Sequence, residues 1–223
     1  MSIAGGPDIV ENGLVLHLDA ADLNSYSGSG TVWTDLSGNG NNGTLTNGPT
    51  FNSSNRGCIV FDGSNDYTLL SNGILSGSGD FTVNQFLSHT SGTIGTTFGN
   101  FTSGNLQVFY GTNFIGMWLN NTSTYLGTSP WNTTLSDYTT MPVMITALRS
   151  GTTTRFYING ILKKTGSSSD TIGTASAQFR VGINTINTEA FNGKIFNTQI
   201  YNRALSATEI LQNYNATKGR YGL

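Results

Sequence analysis

Gly13-Leu-Val-Leu-His-Leu-Asp-Ala20 and, after a polar interval, Trp33-Thr-Asp-Leu-Ser-Gly-Asn-Gly-Asn-Asn-Gly-Thr-Leu45 decide the fold class of this 223-residue chain. In the first stretch Leu14, Leu16 and Leu18 recur with period two. That is the mark of a strand with one buried face, and it puts His17 on the face opposite the leucines. In the second, Ser37-Gly-Asn-Gly-Asn-Asn-Gly43 supplies residues that tolerate positive φ in tight connections. Strand followed by turn then repeats along the chain. Short or period-two apolar runs cover Cys58 to Phe61, Phe81 to Leu87, Leu106 to Tyr110, Ile115 to Leu119, Val143 to Leu148, Arg155 to Ile158, Phe179 to Ile183 and Ile195 to Tyr201. Between them stand separators such as Ser76-Gly-Ser-Gly-Asp80, Ser150-Gly-Thr-Thr-Thr154 and Ile158-Asn-Gly-Ile161. The pattern predicts an all-β sandwich.

Composition agrees. Charged residues are 10% of the chain, 29 residues are Gly, and Ser, Thr and Asn fill the space between apolar runs. This is the profile of many short strands joined by turns. No linker composition divides the sequence and no solenoid or propeller repeat is visible, so residues 1–223 are read as one domain. One helix is expected near the C-terminus. There Ser206-Ala-Thr-Glu209 forms a capping box, Leu205, Ile210, Leu211 and Tyr214 give an apolar stripe, and Lys218-Gly219 ends the helix. The single cysteine, Cys58, excludes an intrachain disulfide, and its neighbours Ile59, Val60 and Phe61 mark a buried strand position.

The formal charge is −2, and the ten Lys and Arg residues are scattered apart from the Lys163-Lys164 pair. Nucleic acid is therefore excluded as a partner, because duplex binding needs a concentrated basic face. No run reaches the roughly 18 apolar residues of a membrane span, and no membrane insertion is expected. The first residues show neither a basic n-region nor an apolar h-region. The expectation is use in the cytoplasm or release by another route, such as packaging into a particle set free by lysis.

Three groups of residues together resemble the LamG-like, concanavalin A-like lectin/glucanase domains of phage and bacterial surface proteins. They are the opening stretches above, Phe61-Asp-Gly-Ser-Asn-Asp-Tyr67, and Phe156-Tyr-Ile-Asn-Gly160 with Phe191-Asn-Gly-Lys-Ile195 through Ile200-Tyr-Asn-Arg-Ala-Leu-Ser-Ala-Thr-Glu-Ile210. The resemblance implies a jelly-roll sandwich of two antiparallel sheets, one of them curved, with glycan, protein or calcium contacts on its loops and concave face. The ending Asn213-Tyr-Asn-Ala-Thr-Lys-Gly-Arg-Tyr-Gly222 is similar to versions in tailed-phage proteins. Phe81-Thr-Val-Asn-Gln-Phe86 departs from the pattern, standing where such domains often carry a Trp-containing strand, so no binding residue of that strand is carried over.

Asp35, Ser37, Asn39 and Asn41 alternate as the first oxygens of a calcium loop would, with Gly40 at the sharp turn. Thr46 stands where the bidentate Glu of an EF-hand belongs, which excludes that motif. LamG-like domains hold calcium with carboxylates, Asn side chains and carbonyls, so the resemblance offers Asp35, Asn39 and Asp62 as metal ligands. The other reading is that both segments are Asx-stabilised turns without metal. Glycosidases of the superfamily need paired carboxylates, roughly 5 to 5.5 Å apart if retaining. The only glutamates are Glu11, Glu189 and Glu209, none with an acid two or four positions away, and Asp62 and Asp66 are separated by a turn. Neither His17 nor His89 has a nucleophile elbow or paired acid beside it. The chain is read as non-catalytic.

Trp118, in Ile115-Gly-Met-Trp-Leu119, is read as a core residue. Tyr125 and Trp131 lie among polar residues and are the candidate ligand-binding aromatics, for sugar stacking, loop packing or a protein contact. Two functions follow. One is a virion structural or decoration protein on capsid or tail, present in multiple symmetric copies and held to other virion proteins through exposed aromatics and the terminal segments. The other is a carbohydrate-binding adhesion module for cell-surface glycans. The first is favoured by a chain that starts with Met just before the domain and ends just after the helix, with nothing appended to be targeted.

Overall fold

The computed structural model describes residues 7–75, 79–90, 94–100, 106–111, 114–119, 142–170, 172 and 178–223. In chain order its strands are β1 (Leu14–Asp19), β2 (Val32–Trp33), β3 (Gly43–Thr46), β4 (Thr50–Asn52), β5 (Cys58–Asp62), β6 (Tyr67–Asn72), β7 (Phe81–His89), β8 (Gly95–Asn100), β9 (Leu106–Gly111), β10 (Phe114–Leu119), β11 (Val143–Ser150), β12 (Thr153–Ile158), β13 (Ile161–Ser167), β14 (Gln178–Val181) and β15 (Asn192–Tyr201), followed by helix α1 (Ala207–Thr217). They form two antiparallel sheets, the jelly-roll sandwich that the resemblance implied. The back sheet has the order β13-β12-β11-β7-β15-β5-β4 with β1 also on β15, and the front sheet has the order β10-β9-β8-β14-β6-β3-β2.

Strand β15 organises the back sheet. One of its flanks pairs with β7, while β5 and β1 share the other flank end to end. A bulge between Ile195 and Asn197 lets the strand serve both partners. Between the sheets, Leu16, Leu18, Val83, Leu87, Ile145, Ile195 and Ile200 of the back sheet meet Leu70, Phe98, Val108, Met117, Phe179 and Val181 of the front sheet. His17 lies on the opposite face from Leu16 and Leu18, as the period-two reading requires. The β12–β13 hairpin turns on Asn159 (φ 52°) and Gly160 (φ 79°), a two-residue connection with both central residues left-handed.

A second apolar cluster covers the outer face of the back sheet. Phe86, Met144, Leu148, Phe196 and Tyr201 pack there with Leu205, Ile210, Tyr214 and Tyr221 of the C-terminal segment. The capping box is formed: Ser206 Oγ accepts the Glu209 N–H, and the Glu209 carboxylate accepts the Ser206 N–H at 2.8 Å. Cys58 is buried in β5. The terminal segments, expected to be spare for outside contacts, instead have structural duties. Val10 N–H donates to Asn213 Oδ1 at 2.8 Å, Tyr201 O–H donates to Val10 O at 2.9 Å, and Arg220 is paired with the buried Asp19.

Candidate ligand-binding face

The outer face of the front sheet is assembled by strict alternation. In β9 and β10, Leu106, Val108, Tyr110, Ile115, Met117 and Leu119 enter the core, which leaves Gln107, Phe109 and Trp118 on the other side. Trp118 is therefore not a core residue, contrary to the sequence reading; it is half-buried and stands opposite Gln107. Register extends this pair into one transverse row over all the strands. Gln107 is opposite Gly99, Gly99 opposite Arg180, Arg180 opposite Leu69, Leu69 opposite Thr44, and Thr44 opposite Val32. At one strand spacing per step the row is roughly 30 Å long.

Each half of the row has its own chemistry. Gln107 Nε2 donates to Thr96 Oγ1 at 2.6 Å and to Glu189, and Thr96 Oγ1 donates to Glu189 Oε2 at 3.3 Å. Phe109 lies flat on Gly116, where a Cβ would meet its ring at 2.1 Å. At Gly99 the β9 backbone comes so close that a Cβ would lie 2.6 Å from Leu106 O, so only a glycine fits between Gln107 and Arg180. The Arg180 guanidinium sits 4.3 Å from the centroid of the Tyr67 ring and donates from Nη1 to Asn187 Oδ1 at 2.7 Å and to Asn184 O at 3.4 Å. Gln107 and Phe109 are buried, Arg180, Tyr67 and Leu69 half-buried, and Thr44 and Val32 exposed, so the face opens toward its β2 edge.

Asp35, Asn39 and Asp62, proposed from sequence as metal ligands, lie elsewhere. Tyr125 and Trp131 are outside the described residues. Asp35 and Asn39 share one turn, linked through the Ser37 hydroxyl. Both Asp35 oxygens are already taken: Oδ1 accepts the His17 and Ser37 N–H groups, and Oδ2 accepts the Ser37 O–H and the Asn41 N–H, all within 2.9 Å. Asp62 belongs to a different turn. It pairs with Asn192 at one end of β15, whereas His17 pairs with Gln199 near the other, about 23 Å away along the strand. The three do not gather into one ligand set. Among the described residues no three His, Cys, Asp or Glu side chains come together.

Asp66 folds back to accept the Asp62 N–H at 3.1 Å, and Asp62 Oδ1 accepts the Ser64 N–H, so these acids flank a turn as expected. Burial pushes the Asp66 carboxyl above the usual carboxylate range. His17 and His89 are not neighbours. His17 lines a groove of about 860 Å³ between β1 and the C-terminal segment, while His89 is enclosed by Tyr110 and Phe191 at 5.0 and 5.8 Å. Burial holds both imidazoles below the ordinary histidine value. No helix among the described residues is long and apolar enough to cross a membrane.

With this fold the chain is a member of the concanavalin A-like lectin/glucanases superfamily, whose Laminin_G_3 family model matches residues 62–211. Domain 4 of AbnA, an extracellular arabinanase from Geobacillus stearothermophilus solved in complex with arabinotriose, superposes with a TM-score of 0.72 at 20% identity over 92% of this chain and 100% of that one. The binding domain of Paraclostridial mosquitocidal protein 1 does so with a TM-score of 0.70 at 17% identity over 92% of this chain and 52% of that one. The binding domain of botulinum neurotoxin DC, solved in complex with SialylT, gives 0.70 at 15% identity over 93% of this chain and 52% of that one. The chain thus spans about half the length of the two toxin domains, and at these identities the likeness is one of fold. No curated protein matches the chain.

Proposed function

We propose that the chain is a non-catalytic glycan-binding module that takes its ligand on the outer face of the front sheet. The observation that carries this is the transverse row, in which the half-buried Trp118 indole, the ring-backed Arg180 guanidinium, Leu69 and the exposed Thr44 stand in line across the sheet. Planar apolar surface for sugar faces, next to fixed donors and acceptors for hydroxyls, is what a sugar site requires. The arabinotriose complex of a similar domain and the SialylT complex of another agree with a carbohydrate ligand. Turnover is not supported: the front-sheet strands contain no Asp or Glu, and Glu189, at the face, is bound by Thr96 and Gln107. Among the described residues no second carboxylate is paired with it in this arrangement.

An oligosaccharide array probed with the purified protein tests the reading. Members of the array are retained, no reducing ends are released, and Trp118→Ala weakens binding roughly fivefold, as the loss of about 1 kcal/mol of stacking would do. Retention of no oligosaccharide would overturn it. The C-terminal likeness to tailed-phage proteins favours a setting for the module: display in symmetric multiple copies on a capsid or tail, with Tyr125 and Trp131 as contacts to other virion proteins. Purified particles that lack the protein would remove that setting and leave the glycan reading standing.

A further inference from the structure

Arg180 is the only charged residue in the seven strands of the front sheet. The back-sheet strands, by contrast, carry Asp19, Asp62, Arg149, Arg155 and three lysines. Arg180 also stands on β14, the central strand, with three strands on either side. A lone charge at the centre of an otherwise uncharged sheet calls for a partner, and the structure provides none. Among the described residues no carboxylate lies within ion-pair distance of this guanidinium. Among the described residues its Nη1 is bound only by the neutral oxygens of Asn187 and Asn184, Nη2 makes no hydrogen bond, and Nε is buried without an acceptor. Neutral acceptors and the Tyr67 face fix the side chain in place but leave its charge uncompensated.

An unmatched guanidinium, pre-positioned on the half of the row that opens to solvent, is an arrangement that receives an anion. Its free Nη2 can donate to a carboxylate or sulfate oxygen, and little side-chain freedom remains to be lost on binding. Glu189 does not fill this role. It is bound at Gln107 and Thr96 on the far side of β8, roughly 10 Å away by strand spacing, about one Debye length in physiological salt. We infer that the glycan taken by the front sheet is acidic, with a carboxylate or sulfate group seated on Arg180. This rests on the glycan-binding reading.

The test is an array of matched neutral, uronic- or sialic-acid-bearing and sulfated oligosaccharides, probed with wild type, Arg180→Gln and Arg180→Lys at low and high salt. Wild type is expected to prefer acidic members by roughly tenfold, with the preference shrinking as salt rises. Arg180→Gln erases the preference while neutral members bind as before, and Arg180→Lys restores only part of it because the ammonium keeps the charge but not the planar group held by Tyr67, Asn184 and Asn187. The carboxylated and sulfated arms tell which anion is used. Equal binding of neutral and acidic members by wild type, insensitive to salt, would overturn the inference and leave the module a neutral-sugar lectin. Binding of no member by any variant would overturn the glycan reading itself. Should Arg180→Gln fail to fold, the wild-type preference and its salt dependence decide alone.

Discussion

Asp35 joins β1 to the turn after β2 through four accepted hydrogen bonds, one from the His17 N–H of β1 and three from Ser37 and Asn41 of its own turn. Its own N–H donates to Asn42 Oδ1 at 2.9 Å. A buried carboxylate so engaged contributes through charge-assisted bonds, and removing it strands several donors at once. Asp35→Ala is expected to lower unfolding free energy by about 2 to 3 kcal/mol, read from urea titrations. The loss should be equal with calcium and with a chelator. If the destabilisation vanished on chelation, Asp35 would be acting through a metal. The sequence left this site open between metal loop and Asx turn, because both need short oxygen-bearing side chains at alternate positions. What separates them is the N–H of His17, brought in from β1, and no local spacing reveals that. Trp118 was misread for a related reason: in an all-apolar run the period is visible but the inward face is not marked.

Among the elements, those with a clear period or a cap were legible and those without were not. The helix was read from its capping box and apolar stripe: Ser206 and Glu209 cap it and Leu205 and Ile210 are buried, whereas Leu211 of the expected stripe is exposed. Arg203 adds a clamp that the sequence did not signal, with Nη1 and Nη2 on the two Glu209 oxygens. Strand β8, Gly-Thr-Thr-Phe-Gly-Asn, escaped notice because Phe98 is its only large apolar residue, so no period shows. Strand β13 escaped because it is an edge strand with mostly exposed residues and two lysines, the usual protection of an open edge. The cap gives a prediction at this scale. The Arg203 guanidinium, aided by the Ser206 N–H and O–H, holds the Glu209 carboxyl well below its ordinary 4.5, down to about 2. A depressed carboxyl stabilises the fold above its unfolded value and loses that contribution as pH falls through the folded one. Stability should therefore decline between about pH 4.5 and 2 and do so less steeply in Glu209→Gln, followed by thermal melts across that range. Ser206→Ala should cost about 1 kcal/mol at neutral pH.

For the whole molecule, the consequence least visible in the sequence is that the back sheet is buried on both faces. The inter-sheet core fills one side, and the C-terminal segment covers the other. Strands β7, β11 and β15 are accordingly buried along almost their whole length, polar residues such as Asn84, Gln85, Thr198 and Gln199 included. Tyr221 closes the second core: its ring lies 4.7 Å from Phe86 and 5.0 Å from Phe196, and beside it Arg220 binds the buried Asp19 of β1. The last residues thus tie the end of the chain to its first strand. Burial pushes the Tyr221 phenol far above its ordinary value, and its hydroxyl is buried without a hydrogen-bond partner. The ring and the hydroxyl should then act in opposite directions. Tyr221→Ala opens a cavity against two aromatic rings and is expected to cost about 3 kcal/mol. Tyr221→Phe keeps the ring and removes an unsatisfied polar group, so it should leave stability unchanged or raise it. Urea unfolding of both variants checks this. A Tyr221→Phe protein less stable than the parent by more than about 1 kcal/mol, the worth of one hydrogen bond, would mean that the hydroxyl has a partner in solution.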